Sequence, residues 1–509
     1  MSRVKKALKN IKYSMFFYIL FVVIQFVSRK IFLDNLGDEF IGLVGTLQSF
    51  LQFLNLAELG IGTAVGFSLY KPIFEKDEYK INELISLFGF LYKKIGFIIL
   101  SIGIILSLFF PLIFSSVTIN LSVVYFAFYT FLFGLCLNFF FNYHLFLLEA
   151  DQKNYVITSY AQTLNLFKIG LQSIAVLYFD SFYIWISLEL IYSIVFSASI
   201  RYKISKEYPW LDLNRKTKKS ILKAYPELIK KVKQISVHKL GSFVTSGTDQ
   251  ILIFAFISIE SVAFFGNYQL IFNRLLQLVN TTFAGTGAGI GNLVAENDIK
   301  NIKKVFWEMM SLRFYIAGIT IIVLYFLVQP FIHLWLGEKY ILENSVLILF
   351  LLNMFIMQIR VPVDHFKDAY GLFQDVWAPV IQSIINLVTS IILLQYFGLA
   401  GILMGTLSAF LIIIMIWRPF YLFKFGFEEN FINYWIPLFK LIISLFIAYT
   451  IASFLIEFIN SDHIKSFLNL FFFGIKVTLL TITIYTPLIF TFNKGFRDIT
   501  KRLLKLITK

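Results

Sequence analysis

Residues 48–66 read QSFLQFLNLAELGIGTAVG, and residues 273–291 read NRLLQLVNTTFAGTGAGIG. A shift of 225 positions, with no gap, lays Gln48 on Asn273, Gln52 on Gln277 and Asn55 on Asn280. The same shift lays Gly60 on Gly285, Gly62 on Gly287 and Gly66 on Gly291. Each copy reads as a polar-striped helix with a glycine-rich end, in a chain that is otherwise mostly apolar. A duplicated, polar-lined helix in such a chain points to a two-lobed membrane transporter.

The surrounding composition fits only a membrane protein. Of the 509 residues, 58% are hydrophobic and 61 are Phe, with a mean hydropathy of +0.77. In water a chain of this kind would expose far more apolar surface than solvent tolerates. Runs such as Ile95–Phe114 and Ile381–Leu394 carry no charge, are too long for barrel strands and do not alternate. The expected fold class is all-α and polytopic. The single cysteine, Cys136, lies in an apolar run, which rules out an internal disulfide and predicts a small buried hydrophobe. The first apolar segment follows Arg3, Lys5, Lys6, Lys9 and Lys12 without a small-residue cleavage site, and reads as a retained span.

Cutting at charged and Pro/Gly punctuation gives fourteen segments of membrane-crossing length. They lie near 11–33, 40–70, 84–114, 120–148, 155–178, 182–200, 236–258, 262–293, 309–335, 344–366, 374–396, 398–420, 432–457 and 465–491. The basic residues then set the orientation. Five Lys/Arg precede the first span, twelve lie in 201–239 and six follow Phe492, against Lys30, Lys339 and Lys465 on the opposite side. Both termini are expected in the cytoplasm. The net charge of +15 is thus mostly a topology signal, of cationic loops beside anionic headgroups, and not a nucleic-acid footprint. Lysines between 216 and 233, interleaved with Leu211, Ile221, Leu222 and Leu228, suggest an amphipathic segment on the inner membrane surface. The expected organisation is a six-helix lobe over 1–200 and a basic cytoplasmic linker over 201–235. A second six-helix lobe over 236–422, two further spans over 432–491 and a basic tail over 492–509 complete it. Because span two matches span eight, six spans later, both copies cross in the same direction. The two lobes are then related by an axis roughly along the membrane normal.

Polar side chains at membrane depth are costly and mark candidate sites. In span eight, Asn267, Arg274, Gln277 and Thr281 share a helical face, with Arg274 close to mid-bilayer. In span seven, Ser242, Thr245, Ser246 and Asp249 do the same. Arg274 and Asp249 are expected partners, either a satisfied buried pair or a pair lining a hydrophilic cavity. Span two offers Gln48, Gln52, Asn55 and Glu58, and span five offers Gln162, Asn165, Lys168 and Gln172. Lys168 cannot reach either surface, and Glu189 of span six is its expected counter-ion. Arg29 stands near the outer end of span one; Arg360 and Asp364 stand near the inner end of span ten. Both arginines are open to a snorkelling role instead. Lys440 and Lys476 of the last two spans are open to snorkelling or to a lipid-tail groove. The expected substrate-contacting set is Arg274, Lys168, Asn267, Gln277, Gln52, Asn55, Arg29 and Arg360. Asp249, Glu58, Glu189 and Asp364 are expected to serve in charge pairing or ion coupling. Such a set leans basic and favours an anionic ligand, arginine offering a planar donor fork suited to phosphate oxygens.

Other chemistry finds little support. The run Gly285-Thr-Gly-Ala-Gly-Ile-Gly follows no strand and ends a predicted span, so close helix packing or a hinge accounts for it better than phosphate cradling. His144, His238, His333, His365 and His463 show no paired ligand spacing, and no Ser/His/Asp set is evident. No enzyme activity, cofactor or metal is expected.

The stretches Leu36-Gly-Asp-Glu-Phe-Ile-Gly-Leu and Leu56-Ala-Glu-Leu-Gly-Ile-Gly-Thr-Ala resemble those of bacterial polysaccharide-unit flippases of the Wzx type. So do Thr248-Asp-Gln-Ile-Leu-Ile-Phe and Phe265-Gly-Asn-Tyr-Gln-Leu-Ile. These flippases belong to the multidrug/oligosaccharidyl-lipid/polysaccharide (MOP) exporter superfamily. The resemblance covers essentially the whole chain. It implies a multi-pass protein of the bacterial plasma membrane that carries polyprenyl-diphosphate-linked oligosaccharide from inner to outer leaflet. It also implies a cationic central cavity, alternating access by rocking lobes, and polymerase and glycosyltransferases of the same pathway as partners. Coupling to H⁺ or Na⁺ stays open. So do a lipid II flippase and, less closely, a multidrug or cation antiporter, which favours acidic sites and twelve spans.

The topology is testable by labelling. A single cysteine introduced at Lys339 or Lys465, with Cys136 replaced by Ala, should react with a membrane-impermeant maleimide on intact cells. One at Lys219 should react only after permeabilisation; the reverse pattern overturns the orientation.

Overall fold

A computed structural model describes residues 3–55, 61–151, 153–212, 247–283, 286–458 and 464–507. These residues form helices joined by short turns, with no strand among them. The chain is an all-α, polytopic membrane protein. Nine helical runs among the described residues are long and apolar enough to cross a bilayer. Lipid leaves no water to satisfy backbone groups, so helices that close their own hydrogen bonds are the available solution. By its contacts the chain forms two compact units, Met1–Gly266 and Asn267–Lys509.

The first unit contains α1 (Arg3–Leu36), α2 (Asp38–Leu54), α3 (Ile61–Glu75), α4 (Glu78–Ser107), α5 (Phe110–Ile113), α6 (Leu121–Phe141), α7 (Leu145–Ala150), α8 (Asn154–Phe179), α9 (Phe182–Glu207) and α10 (Asp249–Phe256). Helix α11 (Ile259–Thr282) crosses the division. The second unit continues with α12 (Thr286–Ala295), α13 (Ile299–Leu336), α14 (Asn344–Ile359), α15 (Val361–Ala369), α16 (Trp377–Phe397) and α17 (Leu399–Ala409). A π-helical stretch, Phe410–Trp417, leads into α18 (Arg418–Phe425), followed by α19 (Ile432–Glu457), α20 (Phe467–Phe492) and α21 (Lys494–Ile507). The core of this unit is aromatic and built on α13, where Phe306 and Phe314 pack with Phe366, Phe423, Tyr434 and Tyr485, all at most 2% exposed. The bulky residues left exposed, such as Phe97, Phe439 and Phe446, are where lipid is the solvent. Cys136 is buried, as expected.

Helix α2 ends at Leu54 with Asn55 as its C-cap, and α11 runs to Thr282. Helices α3 and α12 are described from Ile61 and Thr286. Gly60 and Gly285, where the glycine-rich end of each copy was expected to begin, lie outside the described residues. A Cβ on Gly289 or Gly291 would meet nothing within 4 Å, so close packing is not what those two glycines serve.

The structural duplication extends beyond the matched sequence. Lys76 (φ 55°) and Asn297 (φ 58°) each take the left-handed conformation, and each precedes an aspartate that caps the next helix. Asp77 accepts from the Lys80 backbone N–H at 2.9 Å, and Asp298 from that of Asn301 at 3.1 Å. Two tight hairpins also correspond. Asp180 (φ 45°) turns α8 into α9, and Gly398 (φ 53°) turns α16 into α17. At the opposite end of each hairpin an Asp–Lys–Tyr clasp ties the strand of chain entering it to the helix leaving it. In the first, Lys153 bridges Asp151 (2.8 Å) and Glu207 (3.0 Å), while the Tyr208 hydroxyl donates to Asp151 (2.7 Å). In the second, Lys367 meets Asp375 (2.6 Å), which also accepts from the Trp417 indole (3.1 Å). Each lysine lies over its tyrosine ring, at 4.9 Å for Tyr208 and 5.2 Å for Tyr421.

Two further features refine expectation. The chain after Phe492 is part of the packed fold. Arg502 reaches the buried Glu308 at 3.0 Å, Ser311 donates to Asn493 at 2.6 Å, and Phe496 is buried. The amphipathic segment expected between 216 and 233 lies outside the described residues.

Hairpin α16–α17 packs backbone to backbone. A Cβ on Gly405 would stand 2.5 Å from the Ser390 amide nitrogen, whereas one on Gly170 in α8 would meet nothing within 4 Å. Gly405→Ala should therefore destabilise by about 1–3 kcal/mol through overpacking, while Gly170→Ala should stabilise slightly through helix propensity. Thermal melting in detergent checks both; equal effects would show that packing does not decide.

Candidate functional site

Hairpin α8–α9 holds a partly buried ion pair. Lys168 Nζ lies 2.9 Å from Glu189 Oε2, with the two side chains 15% and 20% exposed. Gln172 donates to the other carboxylate oxygen at 2.8 Å and to the Trp185 carbonyl at 3.1 Å. The ammonium also stands 4.8 Å from the Tyr192 ring centre. Positions 168 and 172 are one turn apart on α8, so a single face presents both groups to α9. The carboxylate thus uses both oxygens, and the lysine meets a charge and a π-face in a low-dielectric setting.

The matching hairpin is held differently. Asp180 and Gly398 are 218 positions apart, and the same offset carries Lys168 to Asn386 and Gln172 to Ser390. Asn386 donates to the Thr406 hydroxyl at 2.9 Å, and Ser390 to the Ile402 carbonyl at 3.1 Å. A neutral amide–hydroxyl bond joins the two helices there, where the first hairpin uses a charge pair. Neutral contacts suffice to hold the matching hairpin.

The other expected residues fall as follows. Arg29 on α1 donates to the Ala263 carbonyl at 3.4 Å. Gln52 is exposed on α2, Asn55 caps that helix, and Glu58 lies outside the described residues. The α2 face one residue round from Gln48 packs on α10, where Ser49 donates to Gln250 at 3.0 Å. Beside it Asp249 is buried, and its Oδ1 accepts no hydrogen bond among the described residues. Asn267 is fully buried. Arg274 is half-buried and donates to Gln277 at 2.8 Å, so the two are joined along one face of α11. Asp249 belongs to the first unit and Arg274 to the second. Gln277 and Asn273 are exposed, as are Gln52 and Gln48 in the matching copy. Lys440 and Lys476 are exposed on the last two spans.

Arg360 and Asp364 are brought together at 3.3 Å, and Asp364 also receives Arg418 at 2.6 Å. Asn353, a polar residue of the same predicted span, is a packing residue that donates to the Leu403 carbonyl at 3.1 Å. Sequence reasoning missed Arg418 and the buried Arg313. Both were legible as charges inside predicted spans, but lie so near the span ends that they read as flanks.

No family model and no curated protein matches the sequence. Solved structures do. One is the lipid II flippase MurJ in an inward closed conformation, with a TM-score of 0.65 and 17% identity, covering 94% of this chain and 100% of that one. The chain has the fold of MOP-superfamily transporters. An inward-facing multidrug-resistance MATE transporter of that superfamily aligns with a TM-score of 0.59 and 15% identity over 80% of this chain and 96% of the other. A Vibrio cholerae MATE transporter, VcmN with a D35N substitution, aligns at 0.53 and 16% over 84% and 98%. These matches carry the fold of membrane transporters.

Removing one partner of the α8–α9 pair leaves an uncompensated charge. Glu189→Gln should cost about 2 kcal/mol, below the 3–5 of a fully buried pair because both side chains keep some exposure. Lys168→Met with Glu189→Met should recover most of that loss in thermal melting, yet still fail to support transport. A fully active double variant would make the pair purely structural.

Proposed function

We propose that this chain is a flippase that moves polyprenyl-diphosphate-linked oligosaccharide units from the inner to the outer leaflet of the bacterial plasma membrane. The observation that carries the proposal is the alignment over 94% of the chain with a flippase of a lipid-linked glycan precursor. About a fifth of this chain, by contrast, has no counterpart in the multidrug transporter. The motifs at Leu36, Leu56, Thr248 and Phe265 support the polysaccharide-unit branch. The α8–α9 hairpin supports an anionic headgroup, because it carries a lysine where the matching hairpin carries Asn386.

In this mechanism the chain performs no covalent chemistry. Lys168 and Arg274 are the cations offered to the diphosphate. Arg274 supplies a planar donor fork and Lys168 a compact charge. Phosphate arriving at Lys168 competes with Glu189, and the released carboxylate becomes available to H⁺ or Na⁺. Access then alternates between the two faces of the membrane while the polyprenyl tail stays in lipid. Outward movement of negative charge is already downhill in an inside-negative potential, by about 2.3 kcal/mol per charge per 100 mV. The potential alone can therefore drive the cycle. The structural match equally favours lipid II as the cargo, and the two cargoes share this physics.

The test is accumulation. Loss of the chain should leave lipid-linked oligosaccharide on the cytoplasmic side, with surface polysaccharide lost. Arg274→Ala should reproduce that defect with normal membrane insertion, and Arg274→Lys should restore part of the export. Accumulation of lipid II instead would move the chain to peptidoglycan synthesis, and unchanged export in the Ala variant would remove Arg274 from the site.

A further inference from the structure

The second unit holds an apolar groove of about 540 Å³ bounded by α13, α14, the π-helical stretch and α19. Phe314, Tyr325, Leu352, Ile359, Leu411 and Phe446 are among its walls. Leu352, Leu411 and Phe446 are 39%, 45% and 68% exposed, so the groove opens sideways, where lipid is. From Phe314 to Tyr325 it follows eleven residues of α13, about 16 Å at 1.5 Å per residue. That is close to half of a ~30 Å hydrocarbon core, the depth of one leaflet.

A buried, under-satisfied cation stands next in sequence to the groove wall Phe314. Arg313 and Gln358 immediately precede the wall residues Phe314 and Ile359 in sequence. Arg313 is 3% exposed. Its guanidinium lies 4.1 Å from the Phe283 ring centre, and its Nη1 makes one long hydrogen bond, 3.4 Å, to Gln358 Oε1. Arg313 Nε and Gln358 Nε2 are both buried donors with no acceptor, and His365 Nδ1, within electrostatic range of Arg313, has no partner either. Among the described residues no carboxylate comes within ion-pair distance of Arg313; Asp364 is already engaged by Arg360 and Arg418. A guanidinium has five donors, and leaving the Nε donor without an acceptor in a low-dielectric interior is costly unless an anion arrives.

We propose that Arg313, Gln358 and this groove bind one anionic phospholipid from the leaflet that borders α21. The phosphate oxygens accept from Arg313 and Gln358, and one acyl chain lies along the groove. Charge complementarity selects the headgroup, and the one-leaflet length selects an ordinary acyl chain over a polyprenyl chain that would run past Tyr325 and Tyr449. Neither Lys168 nor Arg274 is among the residues that line this groove.

Native mass spectrometry of the full chain tests it, after delipidation in detergent and re-addition of phosphatidylglycerol or phosphatidylcholine. One phosphatidylglycerol should be retained, at least tenfold in preference to phosphatidylcholine. Arg313→Gln should abolish that preference, Arg313→Lys should keep part of it, and Leu352→Trp should lower retention of phosphatidylglycerol at least tenfold by filling the groove. Leu352 is partly exposed, so its variant reports even if Arg313→Gln does not fold. Equal retention of both lipids, retention unaffected by Leu352→Trp, or displacement by an equimolar polyprenyl phosphate each overturns the proposal. No transport step enters the measurement, so this inference and the proposed flipping activity fail independently.

Discussion

A charge placed in hydrocarbon has to find its partner inside the protein, because the surrounding solvent offers none. That constraint explains why so few charges occur in the described spans and where they stand. Lys168 is held by Glu189 and the Tyr192 ring, with Gln172 closing the carboxylate's second oxygen. Asp364 gathers Arg360 and Arg418. Lys367 and Lys153 each sit in a clasp of carboxylate and tyrosine. Where the rule is obeyed the result is a rigid joint between helices. Where Arg313 breaks it, unspent donors remain beside an apolar groove.

The same constraint separates scaffold from function in a duplicated fold. The two units share left-handed residues before capping aspartates, tight hairpins and lysine clasps. Those features recur because backbone geometry and helix termini demand them wherever the chain turns. Charge does not recur with them. The first hairpin carries an ion pair where the second carries Asn386 and Thr406. One polar-striped helix adds Arg274 where its copy has Ser49. The scaffold is the same while the charges differ, an asymmetry that the proposed anionic cargo would use.

Much of the fold was legible because hydrophobicity in a membrane chain is a one-dimensional signal. Length and apolarity alone delimit a span, and the described helices lie within a few residues of most predicted segments. The candidate site was legible less evenly. Glu189 was nameable as the partner of Lys168, because both sit at one depth on helices joined by a short turn. Arg313 and Arg418 were not singled out, since a charge near the end of a span looks in sequence like one that has left it.

The sequence by itself determined the class, the spacing of the helices and the duplicated polar stripe, since each follows from composition and period along the chain. Only the tertiary structure decided which polar groups meet. It paired Lys168 with Glu189, gave Asp364 two arginines, made Asn353 a packing residue and folded the basic C-terminal segment onto Glu308. The physical reason is that a side chain's worth in the membrane depends on the distance to its neighbours and on local burial, and neither is a property of the linear chain.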